Sequence, residues 1–296
     1  MLTLSPDSWT EYELIDSGFG EKLERFGPYR IIRPEPQALW EPVLPESEWK
    51  KLSDARFDRE QKEHYRFTDE VKGGWKGKMP ESWNVSYRYD HKFDLKLRLA
   101  LTGFGHVGIF PEQGANWNFI FDALKSSPVH KPKVLNLFAY TGAASMVCRM
   151  AGAEVTHVDA SRPGLNWASQ NMLLNGLDSI RWVYEDAMKF VKREVKRGNS
   201  YHAVIMDPPP YGRGPDGEKW TLAEKIDELV SETSRLLSKE PVFFLMSLYA
   251  AGYSAQVGMN VVRRHFKTGE QTFGEFLIRS EKSVPLPMGS FVRIKF

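Results

Sequence analysis

From Lys133 onward the chain alternates strand-like and helix-like segments, and that rhythm limits it to an α/β architecture. VLNLFAY is a continuous apolar run, as a strand covered on both faces requires. TGAASMVCRMAG follows with small residues at helical spacing, then EVTHVDA as a strand and PGLNWASQNMLLNGL as an amphipathic helix closed by Gly176. IRWVYED, the basic helix AMKFVKREVKRG, the strand YHAVIMD, the long helix AEKIDELVSETSRLLSKE, the strand PVFFLMSLYA and the helix AQVGMNVVRRHF continue the pattern. EFLIRSEK and SFVRIKF end it as a hairpin-like pair, which implies one antiparallel strand near an edge. The expectation is a doubly wound, mostly parallel, seven-stranded Rossmann-like sheet.

The upstream half has another texture. YELIDSGFGEKLERFGPYRIIRPEPQALW predicts two short strands about a glycine-bearing turn, and SEWKKLSDARFDRE a short helix. WNVSYRYDHKFDLKLRLALTG predicts a strand or two, and HVGIF another. This half reads as a small β-rich domain over residues 1–103 that helps to recognise substrate, ahead of a ligand-binding domain over 104–296. The first residues show no basic stretch followed by an apolar one, so no signal peptide is expected. No run approaches the ~18 apolar residues that span a bilayer. The single cysteine, Cys148, excludes a disulfide framework within the chain and fits a reducing cytoplasm. His64, His91, His106, His157 and His202 lack ligand spacing, so no metal is expected. With a formal charge of +2, binding to nucleic acid must rest on local basic patches.

In open α/β sheets the ligand lies beyond the carboxyl ends of the strands, at the reversal of strand order. The first such turn runs Asn136, Leu137, Phe138, Ala139, Tyr140, Thr141, Gly142. Its one glycine does not make the G-x-G-x-x-G pattern, which argues against a nicotinamide or flavin dinucleotide. The turn is either a backbone cradle for a smaller ligand or an ordinary strand-to-helix turn. Asp159 ends the second strand about twenty residues later, where a carboxylate can accept both hydroxyls of a ribose. Ser161 is available to cap the next helix in its place. Asp186 ends the third strand and reads equally as an acceptor for an adenine amine or as a helix cap.

The fourth strand ends in Asp207-Pro208-Pro209-Pro210-Tyr211-Gly212, the most specific feature of the chain. Consecutive prolines fix the backbone and remove its donors. The Asp207 carboxylate and the Pro208 carbonyl then form a rigid acceptor pair for a planar amino-bearing substrate, with Tyr211 placed to stack on it.

Together VLNLFAYTGAAS, HVDAS, EDAMKFV and DPPPYGRG resemble the class I S-adenosylmethionine-dependent methyltransferases. Within them the chain is similar to the bacterial large-subunit ribosomal RNA methyltransferases acting on cytosine C5 and guanine N7, over roughly residues 104–296. The resemblance implies S-adenosylmethionine as cofactor and RNA as acceptor. It implies that Asn136, Phe138, Tyr140, Thr141 and Gly142 line the methionine end, that Asp159 beside Ala160 holds the ribose, and that Asp186 beside Ala187 meets the adenine. Gln113, in GIFPEQ, matches a loop that folds over the cofactor, and Asp207, which the resemblance also sets beside the cofactor, faces the acceptor with Pro208. One departure matters: cytosine C5 transfer needs a cysteine nucleophile, and Cys148 sits inside a helix pattern, as a packing residue would. A base nitrogen is therefore favoured over cytosine C5. Candidate RNA contacts are Lys72, Lys76 and Lys78 interleaved with Trp75 and Trp83, and the helical cluster Lys189, Lys192, Arg193, Lys196 and Arg197. Both read equally well as solvated faces. The rival functions are N-methylation of a protein or small molecule, and a non-catalytic protein that binds the nucleoside cofactor.

Overall fold

The computed structural model describes every residue except Asp7, Ser8, 60–72 and 250–252, so His64 and Lys72 lie outside the described residues. The chain divides into two compact units. One comprises Ser5–Ala115 with Leu277–Met288, and the other Met1–Leu4, Asn116–Phe276 and Gly289–Phe296. A single cut after residue 103 is what local texture suggests; by its contacts the chain changes unit after Ala115 and returns for twelve residues near its end. Local patterning carries no mark of such a return.

In the Ser5–Ala115 unit, strands Tyr12–Gly18, Glu21–Phe26, Tyr29–Pro34, Ala55–Arg59 and Gly73–Gly77 form one sheet in chain order. Three strands therefore stand where two were expected, because Gly27 adds a second tight turn at φ +60°. The short helix is Glu46–Leu52. Trp83–Tyr89 and Phe93–Leu99 pair as a hairpin. HVGIF forms no strand: the His106 and Val107 carbonyls only accept the Thr102 and Ala100 amides as the chain turns back. Charge is buried in this unit. Glu24 accepts from the Tyr12 hydroxyl at 2.7 Å and from Arg33, and Lys22 reaches Glu35 at 3.0 Å. Burial alone raises the Glu24 carboxyl, but Arg33 and Lys22 outweigh it and hold it below its ordinary value.

The other unit is the α/β domain. Its strands are β1 (Lys133–Leu137), β2 (Glu154–Asp159), β3 (Ile180–Tyr184), β4 (Ala203–Met206), β5 (Phe243–Leu248), β6 (Glu270–Ile278) and β7 (Leu286–Lys295). Its helices are α1 (Gly114–Ser126), α2 (Ala143–Met150), α3 (Arg162–Leu174), α4 (Ala187–Arg197), α5 (Leu222–Ser234) and α6 (Ala255–His265). The sheet runs β3-β2-β1-β4-β5-β7-β6, and the short strand Leu2–Leu4 adds an eighth member beside β6. β1 to β5 are parallel and β7 enters antiparallel to β5. Burial explains the order: every residue of β4 and β5 is buried, as expected of central strands covered on both faces. Phe190 and Val191 of α4, Leu229 and Val230 of α5, and Met259 and Val262 of α6 belong to the core cluster that packs on the sheet. The helix expected to run through residue 240 stops at Ser234, because the next residues pair with Tyr201: its amide donates to Leu236, and Ser238 donates back to it.

Strand order reverses between β1 and β4, so the crevice where ligands bind lies beyond the carboxyl ends of these strands. No helix among the described residues is long and apolar enough to cross a membrane.

Candidate active site

The turn after β1 is built from unusual backbone. Phe138 (φ 56°), Tyr140 (φ 49°) and Gly142 (φ 85°) all adopt left-handed conformations within five residues. For the two residues with side chains this costs roughly 1–2 kcal/mol each, and such strain gathers where a site must present its backbone. The surroundings hold it in place. The Tyr140 amide donates to Asp159 Oδ2 at 2.8 Å, Asn171 Nδ2 donates to the Thr141 carbonyl at 2.9 Å, and the Gly142 amide returns to the Ala139 carbonyl at 3.0 Å. A Cβ on Gly142 would lie 3.0 Å from Met146 Cε and 3.1 Å from Ala168 Cβ, so the turn also needs glycine for room.

Beneath the turn runs a buried polar chain. Asn136 Nδ2 donates to Ser145 Oγ at 2.9 Å, and Ser145 Oγ lies 3.0 Å from His157 Nδ1. Burial drives the His157 imidazole down to about 3, so the ring is a neutral link at physiological pH. The sequence assigns no role to Ser145 or Asn171, and His157 reads there only as a histidine without ligand spacing. Asn171 had a signal: it follows Leu165 and Ala168 on the buried face of α3, where an amide needs a partner.

Asp159 is half-buried and accepts one backbone amide on each oxygen, Tyr140 on Oδ2 and Ser161 on Oδ1 at 2.7 Å. Burial raises its carboxyl, against the pull of those two amides. Each oxygen keeps a further lone pair. Ser161 caps α3 through the Gly164 amide at 3.1 Å. Asp186 caps α4, accepting the Lys189 amide on Oδ1 at 2.9 Å, and Ala187 opens that helix in the core. Ala160 lies half-buried beside Asp159.

Asp207 follows β4 directly. No described residue donates a hydrogen bond to its carboxylate, and burial pushes it up to about 6. Of the three proline carbonyls beyond it, Pro209's accepts the Trp220 indole at 2.6 Å and Pro210's accepts the Leu222 amide at 3.0 Å. Pro208's takes no hydrogen bond from a described residue. Tyr211 is half exposed on a small hairpin, Tyr211–Arg213 paired with Lys219–Thr221. Gln113 lies in a 3-10 turn, Pro111–Gln113, of the Ser5–Ala115 unit.

Most of the described basic and aromatic candidates have partners within the protein. Lys189 pairs with Asp216 at 2.6 Å and Glu218 at 3.2 Å, Lys192 with Glu228 at 2.6 Å, Arg193 with Glu185, and Arg197 with Glu194 at 3.2 Å. Lys76 pairs with Asp58 at 2.6 Å, Trp75 donates to the Thr102 carbonyl at 2.8 Å, and Trp83 is 8% exposed and donates to the Phe26 carbonyl. Trp83 is a core residue, so it offers no free face for stacking a base. Among the described residues no group of His, Cys, Asp and Glu could hold a metal ion.

Comparison with known proteins agrees with this geometry. A sequence model of the S-adenosylmethionine-dependent methyltransferase family matches residues 57–237. The chain superposes on an S-adenosylmethionine-dependent methyltransferase of Agrobacterium tumefaciens with a TM-score of 0.89 and 35% identity, covering 100% of this chain and 93% of that one. A methyltransferase structure from Streptococcus mutans shares the fold at a TM-score of 0.71 and 16% identity, over 98% of this chain and 76% of that one. Ribosomal RNA large subunit methyltransferase K/L of Shewanella frigidimarina is 30% identical over 151 residues, 50% of this chain. The chain spans only about a fifth (20%) of that relative's length. The left-handed turn after β1, the carboxylates ending β2 and β4, and the family match converge: this chain belongs to the S-adenosylmethionine-dependent methyltransferases.

Proposed function

We propose that the chain methylates a ring nitrogen or exocyclic amine of an RNA base, with large-subunit ribosomal RNA as the acceptor. The observation that carries this reading is the Asp207 carboxylate, without a donor among the described residues, beside the unused Pro208 carbonyl at the reversal of strand order. Two such acceptors suit the N–H groups of an amino-bearing ring. The choice of RNA draws on the name of the Shewanella relative; in this reading the enzyme works in the cytoplasm. In this reading the Ser5–Ala115 unit helps to choose the acceptor, as appended domains do on a shared catalytic fold.

The residues present fit the cofactor. Asp159 keeps one lone pair on each oxygen for two adjacent hydroxyls, and the left-handed turn from Phe138 to Gly142 offers backbone to the methionine end. Asp186 caps α4 with one oxygen, which leaves the other for the adenine amine. Ala160 and Ala187 provide small surfaces beside the two carboxylates. When bound, S-adenosylmethionine supplies an electrophilic methyl group on a sulfonium. Asp207 and Pro208 orient the acceptor amine toward it, and the carboxylate offsets the positive charge that develops on nitrogen. Tyr211, half exposed, stacks on the ring. Alignment of this kind supplies up to roughly 7–11 kcal/mol without a covalent intermediate.

The structure offers no cysteine for cytosine C5 chemistry. Cys148, the one cysteine of the chain, is fully buried in α2, and burial raises its thiol far above the usual range. Cys148→Ala is therefore expected to keep methyl transfer within about twofold of the parent. A loss of two orders of magnitude, with the fold intact by circular dichroism, would restore the C5 mechanism. The acceptor itself is tested by labelled-methyl transfer to bulk RNA, protein and small-molecule extracts after an RNase-treated purification. Label in RNA supports the reading; label only in the other two sinks it; cofactor binding with no transfer to any extract indicates a binding protein.

A further inference from the structure

A run of three prolines cannot secure itself. It has no backbone donors, so its carbonyls are fixed only by donors arriving from elsewhere. After β4 those donors come from one place, the far strand of the hairpin Tyr211–Thr221 and the first residue of α5. The Trp220 indole donates to Pro209 at 2.6 Å, and the Leu222 amide donates to Pro210 at 3.0 Å. Trp220 is 3% exposed and its ring lies 5.0 Å from that of Phe138, tilted by 53°. Phe138 is the first left-handed residue of the turn after β1. One side chain thus touches both the turn after β1 and the turn after β4.

The hairpin that presents Trp220 is itself pinned. Gly212 pairs with Trp220, and a Cβ there would sit in ordinary contact with Trp220 and Pro209, at 3.7 and 3.8 Å. At the hairpin tip Lys189 of α4 pairs with Asp216 and Glu218. The Gly214 amide donates to the Glu218 carbonyl at 2.8 Å, which closes the loop.

We infer that Trp220 is a positioning residue for methyl transfer: it fixes the orientation of Asp207 and Pro208 relative to the turn after β1. This rests on the reading that Asp207 and Pro208 face the acceptor. Trp220 contacts neither cofactor nor acceptor in this assignment, so its effect belongs to the acceptor step and not to cofactor affinity.

The test is Trp220→Phe, which keeps an aromatic ring and removes the indole donor. Three readouts are taken: transfer to an unmodified large-subunit ribosomal RNA transcript, S-adenosylhomocysteine affinity by calorimetry, and amide exchange. Amides of residues 211–213 and Leu222 are expected to exchange at least about tenfold faster, while those of β1 and β2 do not change. kcat/KM for the transcript is expected to fall about tenfold, and the affinity for S-adenosylhomocysteine to stay within about twofold. Unchanged exchange at 211–213 overturns the brace, and so does unchanged transfer once exchange has risen. Equal losses in transfer and in S-adenosylhomocysteine affinity reduce Trp220 to a general packing residue. If the parent transfers no methyl to the transcript, the acceptor reading fails, while the exchange data still decide whether Trp220 braces the turn. Should the Phe variant not fold, indole N–H exchange at Trp220 in the parent decides: protection supports the hydrogen bond to Pro209, and free exchange removes it.

Discussion

Asp207→Asn is expected to cut methyl transfer by about a hundredfold or more, and to make the protein more stable at neutral pH. The two effects share one cause. The carboxylate is half-buried with no donor from a described residue, and burial raises its pKa from 3.8 to about 6. A carboxyl whose pKa is higher in the folded than in the unfolded state favours folding while it is protonated. That contribution is complete below about pH 4 and is lost as the pH climbs through about 6. A shift of roughly two units is worth at most about 3 kcal/mol. Asparagine cannot ionise, so it escapes the loss. Denaturant melts of parent and variant should coincide near pH 4 and separate by about 2–3 kcal/mol above pH 7, with the variant the more stable. A variant less stable than the parent at pH 8 would contradict this account of the site. On the functional side, parent turnover should rise with pH through about 6 as Asp207 ionises. If Asp207 faces the acceptor as proposed, asparagine removes the charge opposite the acceptor nitrogen, and cofactor binding is expected to survive.

Asp159→Ala is expected to fail at the other step. Its carboxylate ties the Tyr140 amide to the Ser161 amide, at 2.8 and 2.7 Å, and so holds a left-handed residue of the cradle in place. Alanine leaves both donors without their partner. It also removes the acceptor assigned to two ribose hydroxyls, each charge-assisted bond being worth about 1.5–3 kcal/mol. S-adenosylhomocysteine affinity should therefore fall by two to three orders of magnitude, measured by calorimetry, and the melting temperature should fall as well. Affinity within tenfold of the parent would take Asp159 out of the cofactor site. The two carboxylates are thus separable: one variant binds cofactor without turning over, and the other loses the cofactor first.

The α/β domain was largely legible because its central strands are buried on both faces. Runs such as VLNLFAY and PVFFLMSLYA admit few other readings, and the strand ends then mark the turns where chemistry belongs. What escaped depends on distant partners. The hairpin around Tyr211 and Trp220 is defined by a proline carbonyl eleven residues from the indole that binds it; α1, by contrast, carries a local signal, with Trp117, Ile120, Phe121 and Leu124 at helical spacing on its buried face. Ser145 and His157 lie in apolar-looking segments, and only the folded sheet sets them beside Asn136. HVGIF misled because its apolar residues serve a turn and not a ladder. The partners of the basic helix α4 were not legible because charge in a sequence does not show its partner; Glu228 and Asp216 lie on other segments.

The pairing of Leu2–Leu4 with β6 bears on how this chain can be cut. Without it, β6 would present a row of bare amide and carbonyl groups along the outer side of the sheet, the kind of edge that recruits other chains. Gly274 makes the protection intimate: a Cβ there would sit 1.8 Å from the Leu2 carbonyl oxygen, so Leu2–Leu4 presses on bare backbone. A fragment beginning at residue 104 keeps all seven core strands yet uncovers that edge. It is expected to self-associate, measured by sedimentation, where the full chain stays dispersed. The strand Leu2–Leu4 thus acts as a seal on a sheet whose other strands lie more than a hundred residues away.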